Sequence, residues 1–238
     1  NSSTEGASAR AARYKARTNV YNYTQIFDDT IEVSGTAQAV AQHGLDSIYE
    51  REKQKKIAEL AYQMERALVG GVRFQLGNDR YAGGIRYFIT QNVLAGGAAD
   101  VSKRLLNEMV QVVADNGGLA SGNHVFMTST TQQTKVKAID ANSLVVDRTD
   151  TARGEKVNQI VTDFGNFDIV INPNLRPDEI MFLDLERISM RPLADRDMKH
   201  EFLGKVGDSI KGTLLGEYTI EILEQLAHSR VTNLKTTW

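Results

Sequence analysis

Four basic side chains stand close together near the start of the chain: Arg10, Arg13, Lys15 and Arg17, with Tyr14 among them. Such a cluster can bind phosphate groups or an acidic protein surface, and it can also be an ordinary solvated loop. The whole chain carries a formal net charge of -2, so it has no global attraction to nucleic acid or to an anionic membrane. We therefore expect the cluster to contact a protein in preference to DNA.

The residue types that most often perform catalysis or bind metals are scattered along the chain. The four histidines are far apart, without a histidine partner at helical spacing: His43, His124, His200 and His228. Acidic pairs such as Asp28-Asp29 are typical of turns, and a metal site would need further converging oxygen ligands. The glycine pairs lack the spacing of a phosphate-binding loop or a dinucleotide motif, and no Gly-x-Ser-x-Gly motif occurs. We predict no catalytic residue, no metal site and no cofactor.

Length and composition are those of an ordinary globular protein. The 238 residues are enough for one large domain or two small ones. The chain has no cysteine, which excludes disulfides and thiolate metal sites. No apolar run approaches the roughly 18 residues that a membrane-spanning helix needs, so we expect no membrane contact. The first residue is Asn1 and not Met, so either a protease removed the preceding residues or the sequence was trimmed.

Residues 21–34, YNYTQIFDDTIEVS, alternate with a period of two. In an extended chain Tyr21, Tyr23 and Phe27 share one face with Ile31 and Val33, which predicts a half-buried strand. The flanking sequence is small and polar. The strand therefore has no obvious local partner against which its aromatic rings could pack.

Residues 45–69 predict a long helix, because they contain no Gly or Pro and are followed by Gly70-Gly71. Its residues 50–56 include no apolar side chain. This polar stretch is either a solvated surface, supported by pairs such as Glu52 with Lys56 and Lys55 with Glu59, or a contact with another body or subunit. Its charged residues are Glu50, Arg51, Glu52, Lys53, Lys55 and Lys56.

Further elements follow from periodicity and turn signals. A second helix is predicted over 98–116, with Val101, Leu105, Met109 and Val112 facing one way. We also predict a short helix capped by Ser129 or Thr130. The predicted strands are 124–128, 144–146, the hairpin 157–164 and 167–172 around Gly165-Asn166, 179–190, and one long strand over 212–234, with a polar loop at 193–211. Helices early and strands late predict an α+β protein.

Five short segments occur in an informative order along the chain. They are NYTQIF (22–27), EVSGT (32–36), MERALVGG (64–71), DFGNFDIVINP (163–173) and GDSIKGTLLGEYTIEIL (207–223). In this order they resemble the major capsid proteins of tailed bacteriophages, which have the Hong Kong 97-type fold. The resemblance covers most of residues 20–235.

The resemblance implies an α+β fold with an N-terminal arm, an extended β-hairpin loop, a peripheral domain with a long spine helix, and an axial domain. The missing Met fits relatives in which a maturation protease trims the N-terminal region. The lysine–asparagine cross-link of some relatives has no matching motif here. The implied ranges are 1–44 for the arm and extended loop, 45–95 for the peripheral domain with the spine helix, 96–204 for the axial domain, and 205–238 for the return strand of the peripheral domain.

The resemblance also implies a function. The chain would form hexamers and pentamers of an icosahedral or prolate head in the virion, assembled in the host cytoplasm and enclosing double-stranded DNA without sequence-specific binding. Portal, scaffolding or decoration proteins would be its partners. In such a shell, much of the surface that the strand at 21–34 packs against would belong to the neighbouring subunit. The residues expected at subunit interfaces are Arg10, Arg13, Lys15, Arg17, Tyr21, Tyr23, Phe27, Glu50, Arg51, Glu52, Lys53, Lys55 and Lys56.

Two other classes of protein remain open. A bacterial nanocompartment shell protein, similar to encapsulins, shares the fold but encloses enzymes. A small-molecule-binding or catalytic α+β enzyme would assemble its site from residues that sequence spacing does not connect. Particle formation distinguishes shells from the enzyme, and protected DNA distinguishes a genome container from an enzyme container.

Overall fold

The computed structural model describes residues 5, 14, 19–40, 47–120, 123–139, 144–147 and 156–237. The predicted interface residues Arg10, Arg13, Lys15 and Arg17 lie outside this part of the chain. The helices are α1 (Gly35–Ala39), α2 (Ile48–Gly70), α3 (Ile85–Phe88), α4 (Lys103–Asp115) and α5 (Thr130–Val136). The strands are β1 (Gln25–Ser34), β2 (Phe74–Leu76), β3 (Asp79–Tyr81), β4 (Val93–Ala95), β5 (His124–Thr128), β6 (Leu144–Asp147), β7 (Lys156–Thr162), β8 (Gly165–Ile171), β9 (Ile180–Asp184), β10 (Ile188–Pro192), β11 (Lys199–Val206), β12 (Ser209–Ile222) and β13 (Ser229–Thr232).

The long helix α2 confirms the prediction for residues 45–69. The Ser47 side chain caps its first turn by accepting a hydrogen bond from the Glu50 amide. The same four residues form ion pairs, but with other partners than predicted: Lys55 pairs with Glu52, and Lys56 pairs with Glu59. Both observed pairs are three residues apart, a spacing that also places side chains on one helix face.

The four-stranded sheet is built around β12. Strand β1 pairs with one edge of β12, antiparallel from Gln25 opposite Tyr218 to Ser34 opposite Ser209. Strands β10 and β11 pair with its other edge. The expectation that much of the surface on which β1 packs belongs to a neighbouring subunit is therefore wrong. Its partner lies in the same chain, far along the sequence, where no local signal could show it.

Helix α2 covers one face of this sheet and completes a small core. Phe27 and Ile31 of β1 are buried there with Leu60 of α2 and with Leu214 and Tyr218 of β12. The alternation of β1 explains the arrangement, because every second side chain faces the helix. Strand β1 is thus part of the folded body and not of a detached arm.

The hairpin of this sheet lies elsewhere than predicted. Residues 193–211, expected as a polar loop, contain β11, which pairs with β12 as a hairpin. The described residues of 1–44 contain strand β1 and helix α1 and no hairpin of their own. Burial of the outer hairpin strand is slight, which explains why its composition appears loop-like.

The predicted single strand over 212–234 is also wrong. Strand β12 ends at Ile222, and Glu224 then adopts a left-handed conformation with φ 53°. A 3-10 turn at Gln225–Ala227 follows, and β13 joins a different sheet. Residues 179–190 likewise divide, since β9 and β10 belong to different sheets. Two crossings between sheets tie the two halves of the fold together.

The second sheet has seven strands in the order β4-β13-β9-β5-β8-β7-β6. Its strands come from three of the four predicted ranges, since β4 precedes residue 96 and β13 follows residue 205. Helices α4 and α5 supply the core on one face, around Phe126, Phe182 and Met109. A second cluster contains Val69 from the end of α2 and Ile85 from α3.

Helix and turn boundaries in this half differ from the predictions in detail. Helix α4 begins at Lys103 and not at residue 98, because Gly97 and Ala98 have positive φ and Ser102 caps the helix. Its buried face includes Leu106, Met109, Val110 and Val113, whereas Leu105 and Val112 are only partly buried. The hairpin of β7 and β8 is confirmed, but its turn is Asp163-Phe164, with Thr162 opposite Gly165. Helix α5 is confirmed with Ser129 as its cap.

Candidate assembly surfaces

The three aromatic residues predicted at an interface have different environments. Phe27 is only 7% exposed and packs within its own chain, so the prediction that it contacts another subunit is wrong. Tyr21 lies before β1 and is 63% exposed. Its ring meets that of Tyr23 edge to face, with 5.6 Å between centroids. The alternating pattern in the sequence starts at Tyr21, four residues before strand β1 begins at Gln25.

Polar contacts hold the segment before β1 against the body. The Asn22 side chain accepts a 2.8 Å hydrogen bond from the Gly83 amide and donates to the Gly83 and Ile220 carbonyls. Arg73 donates to the Tyr21 carbonyl, and its guanidinium lies 4.2 Å from the centre of the Tyr21 ring. Residues 21–24 therefore have a fixed direction where they enter the sheet.

The polar start of α2 lies on the surface and pairs mostly within its own chain. Lys53 contacts Glu50 at 3.1 Å in the first turns. Lys56 contacts Asp29 of β1 at 3.2 Å and also contacts Glu59. The pKa of Lys56 is raised, mainly by its hydrogen bond to Glu59 and next by its hydrogen bond to Asp29. Hydrogen bonding to Lys55 lowers the pKa of Glu52. The structure thus accounts for these charges without a partner subunit, and their interface role stays a prediction.

A buried carboxylate joins three segments beside this region. Glu217, in β12, has a side chain only 3% exposed. It contacts Arg196 at 2.9 Å and Arg80 of β3 at 3.6 Å, and it accepts a hydrogen bond from the Thr24 hydroxyl. Two cations offset the cost of burying this charge. The residue fixes the relative positions of the entering segment, β3 and the connection before β11.

Sequence reasoning missed one exposed apolar feature, the hairpin of β2 and β3. All six residues of its two strands are exposed, and Phe74, Leu76 and Tyr81 are 51%, 68% and 47% exposed. Gly77-Asn78, which joins the strands, is a recognised hairpin signal and Gly77 has φ 58°. The signal was present in the sequence, but each of the two strands that it joins has only three residues.

The middle of β11 in the β11–β12 hairpin also exposes apolar side chains. Phe202 and Leu203 are 62% and 54% exposed. The hairpin contacts the start of α2, since the Tyr49 hydroxyl lies 2.9 Å from His200 Nε2 and the Tyr49 ring meets Phe202 edge to face. The apolar surface beyond this contact is open to another molecule.

One open pocket resembles a small-molecule site in size. It has a volume of about 430 Å³ and is lined by Asp100, Val101, Ser102, Lys103, Lys135, Ala138 and Ile139. Lys135 is 5% exposed, and its ammonium donates to Asp100, to the Lys235 carbonyl and to the Thr237 carbonyl. All three of its protons are therefore engaged. This lysine holds the end of the chain in place and is not presented as a nucleophile.

The described residues give no metal or membrane feature. Within them no group of three or more His, Asp or Glu side chains is placed to hold a metal ion. Over the same part of the chain, no helix has the length and apolar character needed to cross a membrane. What the surface offers instead is a set of exposed apolar hairpins on rigid supports.

Solved shells share this architecture. The holo-SrpI encapsulin complex from Synechococcus elongatus PCC 7942 has a TM-score of 0.66 at 9% identity, over 90% of this chain and 75% of that one. The satellite phage P4 procapsid has a TM-score of 0.62 at 12% identity, over 99% and 85%. The capsid of cyanophage P-SCSP1u has a TM-score of 0.62 at 10% identity, over 98% of this chain and 82% of that one. Identities this low establish the fold alone.

The shared architecture is the Hong Kong 97-type fold. The model of the SU10 major capsid protein family matches residues 1–235, and the chain belongs to this family. It is a structural protein of the virion capsid, as the phage resemblance implied. No curated protein matches the chain.

Proposed function

We propose that this chain assembles into hexamers and pentamers of an icosahedral or prolate phage head that encloses double-stranded DNA. The observation that carries the proposal is the family match over residues 1–235. A net charge of -2 suits a container that encloses DNA without binding particular sequences, because a strongly basic wall would hold the genome tightly. Assembly would take place in the host cytoplasm, with portal, scaffolding or decoration proteins as partners.

The predicted division of the chain is carried forward as part of this proposal, with the corrected strand pairing. Residues 45–95, which include α2, would belong to the peripheral domain, and residues 96–204 mainly to the axial domain. Residues 1–24 would act as the arm, and residues 205–238 would return through both sheets. Tyr21, Tyr23 and the charged start of α2 would face neighbouring subunits, because Tyr21 is exposed, Tyr23 and the start of α2 are at least partly exposed, and the segment before β1 is held in a fixed direction.

A second candidate function is a nanocompartment shell that encloses protein cargo. The structural likeness to the SrpI encapsulin, at a TM-score of 0.66, supports it. The likeness concerns the fold, which phage heads and nanocompartments share, so it does not favour one content over the other.

One experiment separates these functions. The protein is expressed alone and with the genes that neighbour it, and the product is imaged by negative-stain electron microscopy. Closed shells support both container functions, whereas monomers at all concentrations would contradict both. Nuclease treatment of particles recovered from infected cells then tests the content. Protected double-stranded DNA supports the phage head, and co-purifying protein with no protected DNA supports the nanocompartment.

A further inference from the structure

The β2–β3 hairpin presents an apolar surface that its own chain leaves uncovered. Phe74 and Tyr81 lie side by side with 6.4 Å between ring centroids, and Leu76 is near the tip. Val72, just before the hairpin, is 63% exposed. An isolated two-stranded hairpin is marginally stable in water, and contiguous apolar patches of this kind mark binding sites.

The base of this hairpin is held firmly. Arg80 contacts the buried Glu217, and the Ala82 amide donates a 3.2 Å hydrogen bond to Gln25 Oε1 in β1. Arg73 lies between the rings of Tyr21 and Tyr87, 4.2 Å and 5.3 Å from their centres. The exposed side chains thus lie on a rigid support, which reduces the entropy that binding must overcome. Aromatic residues and arginine are also the types enriched at the centres of interfaces.

A surface of complementary character lies on the seven-stranded sheet. Along β8, Phe167 and Ile169 pack against the core, while Asn166, Asp168 and Val170 alternate with them and are exposed. Asp163 and the 45% exposed Phe164 form the turn that precedes this strand. The turn and β8 carry two acidic residues and no basic one, whereas residues 72–81 carry Arg73, Arg80 and Asp79.

We propose that the β2–β3 hairpin of one copy docks on the open face of β8 and its turn in the next copy of this chain. Apolar side chains meet apolar side chains, and the net positive charge of residues 72–81 faces the two acidic residues, while Arg73 and Arg80 keep their contacts within their own chain. The two surfaces differ, so the contact is heterologous, and a heterologous contact that closes builds rings. The inference rests on the proposed assembly into hexamers and pentamers, and it names the surfaces that join the subunits of one ring.

The test uses the absence of cysteine from the chain. Leu76→Cys and Val170→Cys are combined in one chain, assembled, oxidised and analysed by denaturing gel without reductant. We expect a ladder of covalent oligomers up to the ring size. When the two single variants are assembled as a mixture, we expect disulfide-linked dimers that contain one chain of each variant. Particles that form normally but give neither product would overturn the inference and leave the proposed function intact.

Charge substitutions give an independent measurement. Leu76→Glu and Val170→Glu should each lower particle yield at least about tenfold, because each places a carboxylate in a dry contact. Leu76→Glu combined with Val170→Lys should restore most of the yield. The matched control is Leu223→Glu, at a position 53% exposed outside both surfaces, which should assemble normally. All variants should keep the wild-type circular dichroism spectrum and melting temperature as monomers.

The remaining outcomes also decide the inference. If Leu76→Glu fails to form particles while Val170→Glu assembles normally, the hairpin binds a surface other than β8, and the proposed pairing is overturned. If Leu223→Glu lowers the particle yield as much as Leu76→Glu and Val170→Glu do, assembly is sensitive to any added charge, and the assignment of the two surfaces is overturned as well. If the wild-type protein forms no particle at all, the proposed function fails first, and that result is distinct from both.

Discussion

The Glu217 carboxylate lies 2.9 Å from Arg196 Nε inside a chain whose other ion pairs are mostly on the surface. Glu217 also contacts Arg80, and its position in β12 is where the partner strand changes from β11 to β10. A buried carboxylate with two arginine partners stabilises a particular arrangement of segments more than it stabilises folding in general.

Replacing this carboxylate should destabilise the protein measurably. Glu217→Gln keeps the shape but removes the charge, so we expect a loss of about 1–3 kcal/mol in the free energy of unfolding. Denaturant unfolding of the dissociated subunit measures it. The control is Glu221→Gln in the same strand, because Glu221 is 40% exposed and pairs with an exposed Arg191, and its loss should stay below about 1 kcal/mol. Equal losses would contradict the role of Glu217.

Strand β1 should contribute to the stability of the subunit itself. Ile31→Ala should lower the free energy of unfolding by about 2–5 kcal/mol, because Ile31 is 1% exposed and packs under α2. Ile26→Ala, on the opposite face of the same strand and 47% exposed, should change it little. If the two variants were equally stable, β1 would not be part of the subunit core.

His228 should make stability depend on pH. It is fully buried, and this burial lowers its pKa to about 4, against a smaller opposing effect of Asp184. Below the ordinary pKa of 6.5 the unfolded chain takes up a proton that the folded chain does not. Stability should therefore be complete above about pH 6.5, fall by up to about 3 kcal/mol as the pH approaches 4, and level off below it.

Unfolding by denaturant at a series of pH values measures this effect. His228→Gln should be less stable at pH 7 but should lose less stability between pH 6.5 and 4. His200→Gln keeps His228 and should show the same fall as the wild-type protein. Parallel profiles for the wild type and His228→Gln would assign the acid sensitivity to other groups.

The basic cluster near the start of the chain should affect assembly and not folding. Replacing Arg10, Arg13, Lys15 and Arg17 together by Glu should preserve the melting temperature and lower particle yield. Raised salt should weaken wild-type assembly in the same direction, since single exposed pairs of about 0.2–1 kcal/mol are screened but are repeated at every subunit. Unchanged yield and salt tolerance in the variant would show that these residues are only solvated.

The sequence by itself determined the elements whose signals are local. Helix α2 follows from a run without Gly or Pro that Gly70-Gly71 ends, α5 from a cap at Ser129 or Thr130, and β5 from a short apolar run, and all three are where they were predicted. Hydrogen bonds within a helix and its cap connect residues only a few positions apart, so a short window of sequence contains the relevant information. The order of short motifs likewise identified the phage capsid family.

Tertiary structure alone decided how the strands pair. Strand β1 appeared to need a neighbouring subunit because its partner, β12, is almost at the other end of the chain. Phe27 was expected at an interface and is buried, and residues 212–234 were expected as one strand but divide between two sheets at Glu224. Period-two alternation specifies which side chains share a face, but it contains nothing about which strand lies alongside, because that depends on contacts made across the whole chain.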